Sequence, residues 1–316
     1  MVDLITGGAG FIGRWVVKHI LNKGKEVVVI DNLSNGSKEN LAEFKDNPNL
    51  KEIIIEDIAN KEIVEKIFSK YQFSNCIHLA AQINVQESLN FPERSFRNNV
   101  IGTYNILEGA RKFNTKVILI GTCMVYDLAS SNIAISEEHR VKPTSPYAGS
   151  KIAAEELALS YYFGFDLPVI ILRPFNTYGP FQKTNMDGGV VSIFINNKIK
   201  DIKIRVFGDG MQTRDLLYVE DCAEFIVSAG ECDKCVGEII NAGTGKDVSI
   251  KHLAELIVGD KDSIEYVKHH HPQSEIMKLV CNYSKAKRLL NWEPKTSLKE
   301  GIAKLEKWIR ETEIGK

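Results

Sequence analysis

Tyr147 and Lys151 stand four residues apart in Ser145-Pro-Tyr-Ala-Gly-Ser-Lys151. A Pro directly after a Ser is a helix-start signal, and on a helix residues i and i+4 share a face. An ammonium held beside a phenol favours the phenolate, so a side chain with a pKa of about 10 becomes usable as a base near neutral pH. Long helices also show this pair by chance. It carries chemistry only where the chain adds a redox cofactor and a hydroxyl partner for the tyrosine.

A cofactor site is legible near the start of the chain. Residues 3–6 are an apolar run ending in Gly7-Gly-Ala-Gly10-Phe11-Ile12-Gly13. A helical pattern follows through Val16, Val17, Ile20 and Leu21 to Gly24, and Glu26-Val-Val-Val-Ile-Asp31 reads as a second buried strand. Strand, glycine turn, helix and acid-ended strand make one dinucleotide-binding βαβ unit, here spaced Gly-x-x-Gly-x-x-Gly. The glycines let backbone N–H groups approach a pyrophosphate at the helix N-terminus, where the dipole favours negative charge. A carboxylate at Asp31 accepts from a ribose 2′-hydroxyl and repels a 2′-phosphate. Asn32-Leu-Ser34 brings no Arg beside it, so the expected cofactor is NAD rather than NADP.

The elements that must position these groups alternate. Strands are expected at 51–57, 75–80, 116–121 and 169–172. Between them lie helices over Ile63–Phe68, over about Pro92–Phe113, and from Ser145-Pro146 with Ala153, Leu157 and Tyr161 on the apolar face. Near-continuous apolar strands alternating with helices imply an α/β fold with a doubly wound parallel (Rossmann) sheet. Ligands bind such sheets at the carboxyl ends of the strands, where Gly7, Asp31, Asp57, Ala80 and Thr122 fall. After Arg173-Pro-Phe-Asn176 the regularity breaks. Gly/Pro-rich loops surround one helix and a short strand at 203–207, and helices recur near 219–229, 250–258 and 298–311. The expected division is a Rossmann domain at 1–175, with part of 215–245 returning to it, and a smaller C-terminal α/β substrate-binding region over 176–316.

Composition narrows the partners. The 316 residues are 44% hydrophobic and 26% charged, with a formal net charge of -1, which gives no pull toward nucleic acid or an anionic membrane. No apolar run reaches the length of a membrane span, and the N-terminus enters a strand pattern at once, leaving no room for a signal peptide. Cysteines are scattered at 76, 123, 222, 232, 235 and 281, several inside apolar runs, as for reduced thiols in a cytoplasmic protein. No metal site is expected. Cys232-Asp-Lys-Cys235 lacks a second ligand pair and reads as an exposed loop, and His269-His-His271 reads as a polar loop near the substrate.

Six motifs occur in a telling order: Gly7 to Gly13, His78-Leu-Ala-Ala81, Thr122 to Tyr126, Tyr147 to Lys151, Arg173-Pro-Phe-Asn176, and Arg214-Asp-Leu-Leu-Tyr-Val-Glu-Asp221. Ser284-Lys-Ala286 and Leu290-Asn-Trp-Glu-Pro294 follow. In these the chain resembles the extended short-chain dehydrogenase/reductases of the nucleotide-sugar epimerase/dehydratase group, most closely the UDP-hexose 4-epimerases. The resemblance implies that Tyr147 is the catalytic base, that Lys151 lowers its pKa and binds the nicotinamide ribose, and that Thr122 bonds the sugar hydroxyl under attack. It implies NAD contacts at Gly7, Gly10, Phe11, Ile12, Asp31, Asn32, Asp57, Ile58, Leu79, Ala80, Ala81 and Asn99. It places the nucleotide diphosphate at Asn176 and Arg214, the uracil under Gly189-Val190 and Val206-Phe207, and the sugar beside Cys123 and Met124. The family's second phosphate-binding Arg is replaced by His269-His-His-Pro-Gln-Ser-Glu275, with His271 as its stand-in. Family dimers pair helices corresponding to 92–113 and 147–163, so a homodimer is expected.

The family's branches share oxidation of a sugar hydroxyl and differ in the next step. A 4,6-dehydratase carries Asp-Glu directly after the Thr, and a UDP-glucuronate decarboxylase a Glu at the position of Met124. Here Cys123-Met124 follows, and a thioether holds no proton. A C4 epimerase needs no further acid, so epimerisation of UDP-glucose or UDP-N-acetylglucosamine is the expected reaction. UDP-glucuronate 4-epimerase, decarboxylase, dehydratase or a silent NAD-binding member are the alternatives. Leu279 falls near a position where epimerases that exclude N-acetyl groups carry an aromatic, which leaves room for the larger sugar.

Overall fold

The computed structural model describes residues 2–127, 133–184, 189–268 and 277–314. Twelve strands run in chain order: β1 (Val2–Thr6), β2 (Glu26–Ile30), β3 (Leu50–Ile54), β4 (Phe73–His78), β5 (Lys116–Ile120), β6 (Val169–Pro174), β7 (Asn176–Tyr178), β8 (Ile204–Phe207), β9 (Thr213–Tyr218), β10 (Ile239–Ala242), β11 (Asp247–Ser249) and β12 (Ile264–Val267). Seven of them form a parallel sheet in the order β10-β6-β5-β4-β1-β2-β3. The order reverses between β1 and β4, which opens a crevice at their carboxyl ends. Strands β11, β9 and β7 make a second sheet, and β12 pairs in parallel with β8.

The two-residue period of the strands sorts the core into two layers. Ile5, Val27, Val29, Ile118, Ile120, Ile170 and Leu172 face one cluster, where they meet Val16, Val17 and Ile20 of helix Phe11–Asn22 and Phe225 and Ile226 of helix Val219–Gly230. Leu4, Val28, Ile30, Val117, Leu119, Val169 and Ile171 face the other, against helices Lys61–Lys70, Gly102–Phe113 and Pro146–Phe165. Each such fully buried Val, Leu or Ile contributes about 1.5–3 kcal/mol by leaving water. Burial on both faces is why β2 reads as an unbroken Val-Val-Val-Ile run.

Three sequence expectations shift. The buried stripe of helix Pro146–Phe165 is Tyr147, Lys151, Ala154, Ala158 and Tyr161, while Ala153 is exposed and Leu157 half-buried. Once Tyr147 and Lys151 turn inward, the i+3/i+4 steps carry the inner face to 154 and 158. The tract expected over 92–113 begins earlier and is broken: Val85–Asn90, Pro92–Ser95, a π-helical turn Phe96–Ile101, then Gly102–Phe113. Cys232 and Cys235 do not lie on an exposed loop. Cys235 is fully buried in the first core cluster and Cys232 half-buried against it, on either side of the turn Asp233–Cys235. All six thiols are free, and among the described residues no group of three or more His, Cys, Asp or Glu gathers around a metal position.

Strand β10 was not evident in the sequence, being only four residues long. It closes the sheet edge beside β6 and brings residues 239–242 back to the Rossmann unit. Among the described residues no helix is long and apolar enough to cross a membrane.

Candidate active site

At the sheet's carboxyl end the glycine turn is shaped by close approach. Gly7 has φ +71°, and a Cβ there would meet the Ala80 amide at 2.7 Å. A Cβ on Gly13 would overlap the Gly7 carbonyl, so the first turn of helix Phe11–Asn22 can sit against β1 only without a side chain. Asp31, at the end of β2, accepts N–H bonds from Ala9 (3.0 Å) and Leu33 (2.8 Å). Burial pushes its carboxyl above the usual range, and the two N–H bonds oppose that shift. The carboxylate is thereby fixed at the mouth of the turn, where a ribose diol would lie.

Helix Pro146–Phe165 brings the second group. Ser145 caps it by accepting from Ala148 N (3.2 Å), and Pro146 occupies its first turn. The cap aims Tyr147 and Lys151 at the end of β5. The Tyr147 phenol lies beside the Thr122 hydroxyl, whose Oγ1 accepts from Met124 N at 3.2 Å. Lys151 Nζ donates to the Ile120 carbonyl at 2.5 Å. Both side chains are buried, at 8% and 6% exposed.

Electrostatics depart from the simple expectation. Burial pushes the Tyr147 phenol up to about 12, partly offset by the neighbouring Thr122 hydroxyl. Burial pulls Lys151 down to about 8, opposed by the charge of Glu155. The protein's own groups therefore do not make Tyr147 a ready base. The Lys151 charge is spent on a backbone carbonyl, and desolvation outweighs it. Cys123, directly after Thr122, is likewise pushed up to about 12 by burial and keeps its proton.

These groups share one cleft of about 1530 Å³, larger than the roughly 300–1,000 Å³ that holds one small ligand. Its volume suits two ligands laid end to end. One end is lined by Gly7, Gly10, Phe11, Ile12, Asp31, Asn32, Asp57, Ile58, Leu79, Ala80 and Ala81. Thr122, Cys123, Met124, Tyr147 and Lys151 form the middle, and Asn176, Gly189, Val190, Phe207 and Arg214 the far end. A curved glycine turn, a helix N-terminus and an acidic strand end fit a dinucleotide at the first end.

Two expected contacts are placed elsewhere. Asn99 is 1% exposed and turned away from the cleft. Its amide accepts from Gln82 N (2.7 Å) and donates to Gln82 O (3.0 Å) and Ser150 Oγ (2.8 Å), while Asn98 lines the cleft instead. The π-helical turn produces that swap, since its wider pitch rotates each side chain relative to an α-helix. Val206 is fully buried, and its neighbours Arg205 and Phe207 face the cleft, as strand alternation on β8 demands. Arg205 was the detectable miss, because that alternation is visible in Ile204-Arg-Val-Phe207. Leu279 is buried behind Cys123 and does not line the cleft, so any effect on sugar size passes through packing. His271 and its flanking histidines lie outside the described residues.

Asp215, next to Arg214 on β9, explains why that wall holds its shape. Its buried carboxylate accepts from Thr244 N (2.7 Å), Thr244 Oγ1 (2.6 Å), Gly245 N (2.9 Å) and Cys281 N (3.0 Å). These bonds tie the segments after β10 and around Cys281 to the strand that carries Arg214.

Residues 4–305 match the GDP-mannose 4,6-dehydratase family, and the chain belongs to this group of extended short-chain dehydrogenase/reductases acting on nucleotide sugars. It is an NAD-dependent enzyme of the nucleotide-sugar epimerase/dehydratase family. A structure of Pal from Bacillus thuringiensis is 56% identical, covers 99% of this chain and 100% of its own, and superposes with a TM-score of 0.97. A putative UDP-glucose 4-epimerase of Methanocaldococcus jannaschii is 36% identical over 97% of this chain and 98% of its own length. The Thermotoga maritima UDP-glucose 4-epimerase solved with UDP-glucose is 33% identical over 99% of both chains, with a TM-score of 0.92. Relatives of 30–36% identity also include a UDP-glucuronate 4-epimerase, a UDP-glucuronic acid decarboxylase and a dTDP-glucose 4,6-dehydratase. The family thus spans several reactions.

Proposed function

We propose that the protein interconverts C4 epimers of a UDP-sugar, UDP-glucose or UDP-N-acetylglucosamine, through a transient 4-keto sugar. Asp31 and the glycine turn would hold NAD, which when bound supplies the hydride acceptor and, through its cationic ring, charge that favours a phenolate. Tyr147 takes the proton from the C4 hydroxyl, Thr122 beside it hydrogen-bonds and orients that hydroxyl, and Lys151 anchors the ribose. Asn176 and Arg214 hold the diphosphate. After the sugar turns over, Tyr147 returns its proton and C4 regains hydrogen on the other face.

One observation carries this reading. Among the described residues, the cleft wall around Thr122 and Tyr147 bears Cys123 and Met124 and no carboxylate; the lining carboxylates Asp31, Glu56 and Asp57 stand at the dinucleotide end and Glu265 on β12. Epimerisation asks for no acid beyond Tyr147. A second reading rests on Cys123, whose neutral thiol can donate a proton at the position where a dehydratase keeps its acid. An NMR time course over UDP- and dTDP-sugars separates the two. A C4 epimer from a Cys123→Ala variant that keeps at least about a tenth of wild-type turnover supports the first reading. A 4-keto-6-deoxy product that disappears in the same variant overturns it.

We also propose a homodimer. Helices Gly102–Phe113 and Pro146–Phe165 pack side by side, and they and the preceding segment expose Phe91, Phe96, Tyr104, Phe163 and Phe165. Exposed aromatics on two paired helices support an interface there. Light scattering at micromolar concentration should give twice the chain mass; a monomeric mass overturns the assignment.

A further inference from the structure

The helix that carries Tyr147 and Lys151 continues at the same spacing to Glu155, which is fully buried. Glu155 Oε2 accepts from both Nε (3.0 Å) and Nη2 (2.6 Å) of Arg173 on β6, itself 2% exposed. Arg173 in turn lies over the Tyr126 ring, 4.8 Å from its centroid. The other oxygen, Oε1, is buried with no hydrogen-bond partner and abuts Gly121, where a Cβ would overlap it. Gly121 separates Ile120, whose carbonyl receives Lys151, from Thr122, which lies beside Tyr147. The carboxylate therefore sits directly behind the strand end that holds both.

A buried ion pair is a poor source of stability, because desolvation of the two charges offsets their attraction. An oxygen left without a donor makes this pair costlier still. Its place explains what that cost supports. We propose that Glu155, backed by Arg173, is a positioning residue that keeps Lys151 an ammonium and holds the Ile120–Thr122 strand end against the helix.

Glu155 is the charge that acts on Lys151, opposing the fall caused by burial. The other titratable neighbours are silent near neutral pH. His78 on β4 lies between Thr6 Oγ1 (2.7 Å) and Thr103 Oγ1 (3.0 Å), and burial pushes it down to about 3. Cys123 and Tyr147 keep their protons. Without the Glu155 charge nothing described would oppose desolvation, and Lys151 would be neutral over more of the physiological range. The proposal rests on Tyr147 and Lys151 as the reacting pair, but its test does not depend on which sugar is turned over.

The test measures Lys151 itself. Trace acetic anhydride is applied to the purified full chain with NAD at graded pH. Acetylation of Lys151 is then read by peptide mass spectrometry against an exposed lysine such as Lys307. In Glu155→Gln the reactivity midpoint should fall by about one pH unit or more, equivalent to a ratio of neutral to charged Lys151 about tenfold higher at a given pH. Glu155→Asp should restore most of it. Because Glu155→Gln leaves Arg173 unpaired, the double variant Glu155→Met/Arg173→Met is measured alongside, with circular dichroism for folding, and should show a smaller fall in the same direction, since the Arg173 charge that opposes an ammonium goes with the carboxylate. In turnover, the alkaline limb of the pH profile should move with the midpoint, whereas a merely structural role lowers the rate equally at every pH. An unchanged midpoint in a folded variant overturns the proposal. Failure of both variants to fold overturns it as well, since the pair would then be a folding element. Loss of turnover in Tyr147→Phe tests the underlying reading separately.

Discussion

Lys151 donates its ammonium to the Ile120 carbonyl, 2.5 Å away, rather than to Tyr147 one helical turn before it. The tyrosine lies beside Thr122 instead, so strand β5 and the residues just after it serve both members of the pair.

That arrangement leaves a buried lysine whose proton affinity is pulled from 10.5 down to about 8. Below about 8 it is charged in the folded and unfolded chain alike. Between about 8 and 10.5 only the unfolded chain holds the proton, so rising pH relieves the desolvation cost and favours folding. From about pH 7.5 to pH 10, wild type should gain about 2 kcal/mol of unfolding free energy relative to Lys151→Met. Denaturant titrations at the two pH values measure this; equal pH slopes in the two proteins would contradict it.

Tyr147→Phe should lower turnover by at least about a hundredfold, the usual scale for loss of a general base. NAD affinity should change little, because the substitution removes one oxygen and keeps the buried ring. Rapid mixing with substrate reads the effect as slower appearance of reduced-nicotinamide absorbance. Near-normal turnover would remove Tyr147 from the mechanism.

Asp31→Ala should weaken NAD by about ten- to a hundredfold, the range for a hydrogen bond to a charged group. Part of that loss would reflect a looser glycine turn, since Asp31 also accepts from Ala9 and Leu33. The ratio of NAD to NADP affinity, from calorimetric titration, isolates the effect of charge and should move toward NADP. An unchanged ratio would mean that another group chooses the cofactor.

Gly13→Ala should cost about 1–3 kcal/mol, the range for overpacking, because its Cβ meets the Gly7 carbonyl. Gly164→Ala is the control. It lies in helix Pro146–Phe165 with open space around it and should gain about 0.5–1 kcal/mol. Thermal unfolding of both variants distinguishes the effects, and a tolerated Gly13→Ala would mean that the turn can widen.

Much of the site was readable because its signals are local. A glycine turn between a strand and a helix is a short-range backbone constraint, and Asp31 at a strand end follows from the same count. Tyr147 and Lys151 share a face by helical period alone. The readings that moved depend on register or on distant partners. Asn99 gives way to Asn98 at the cleft through a π-helical turn, which leaves no mark in residue type. Val206 turns inward because it packs with Phe194, Ile195 and Leu253 in a cluster apart from the main sheet's two layers, and Ala153 turns outward because the inner face of its helix follows Lys151. Cys235 is buried, and Cys232 half-buried, by packing against residues far away in the chain.

By itself the sequence determined the class of fold, the cofactor and the spacing of Tyr147 and Lys151, since each is set by residues within a few turns of one another. Only the tertiary structure decided where the charges go. It sends Lys151 to Ile120, hides Glu155 and Arg173 beneath Gly121, and leaves neutral Cys123 beside Thr122. Burial sets those protonation states, and burial is a property of packing between segments distant in the chain.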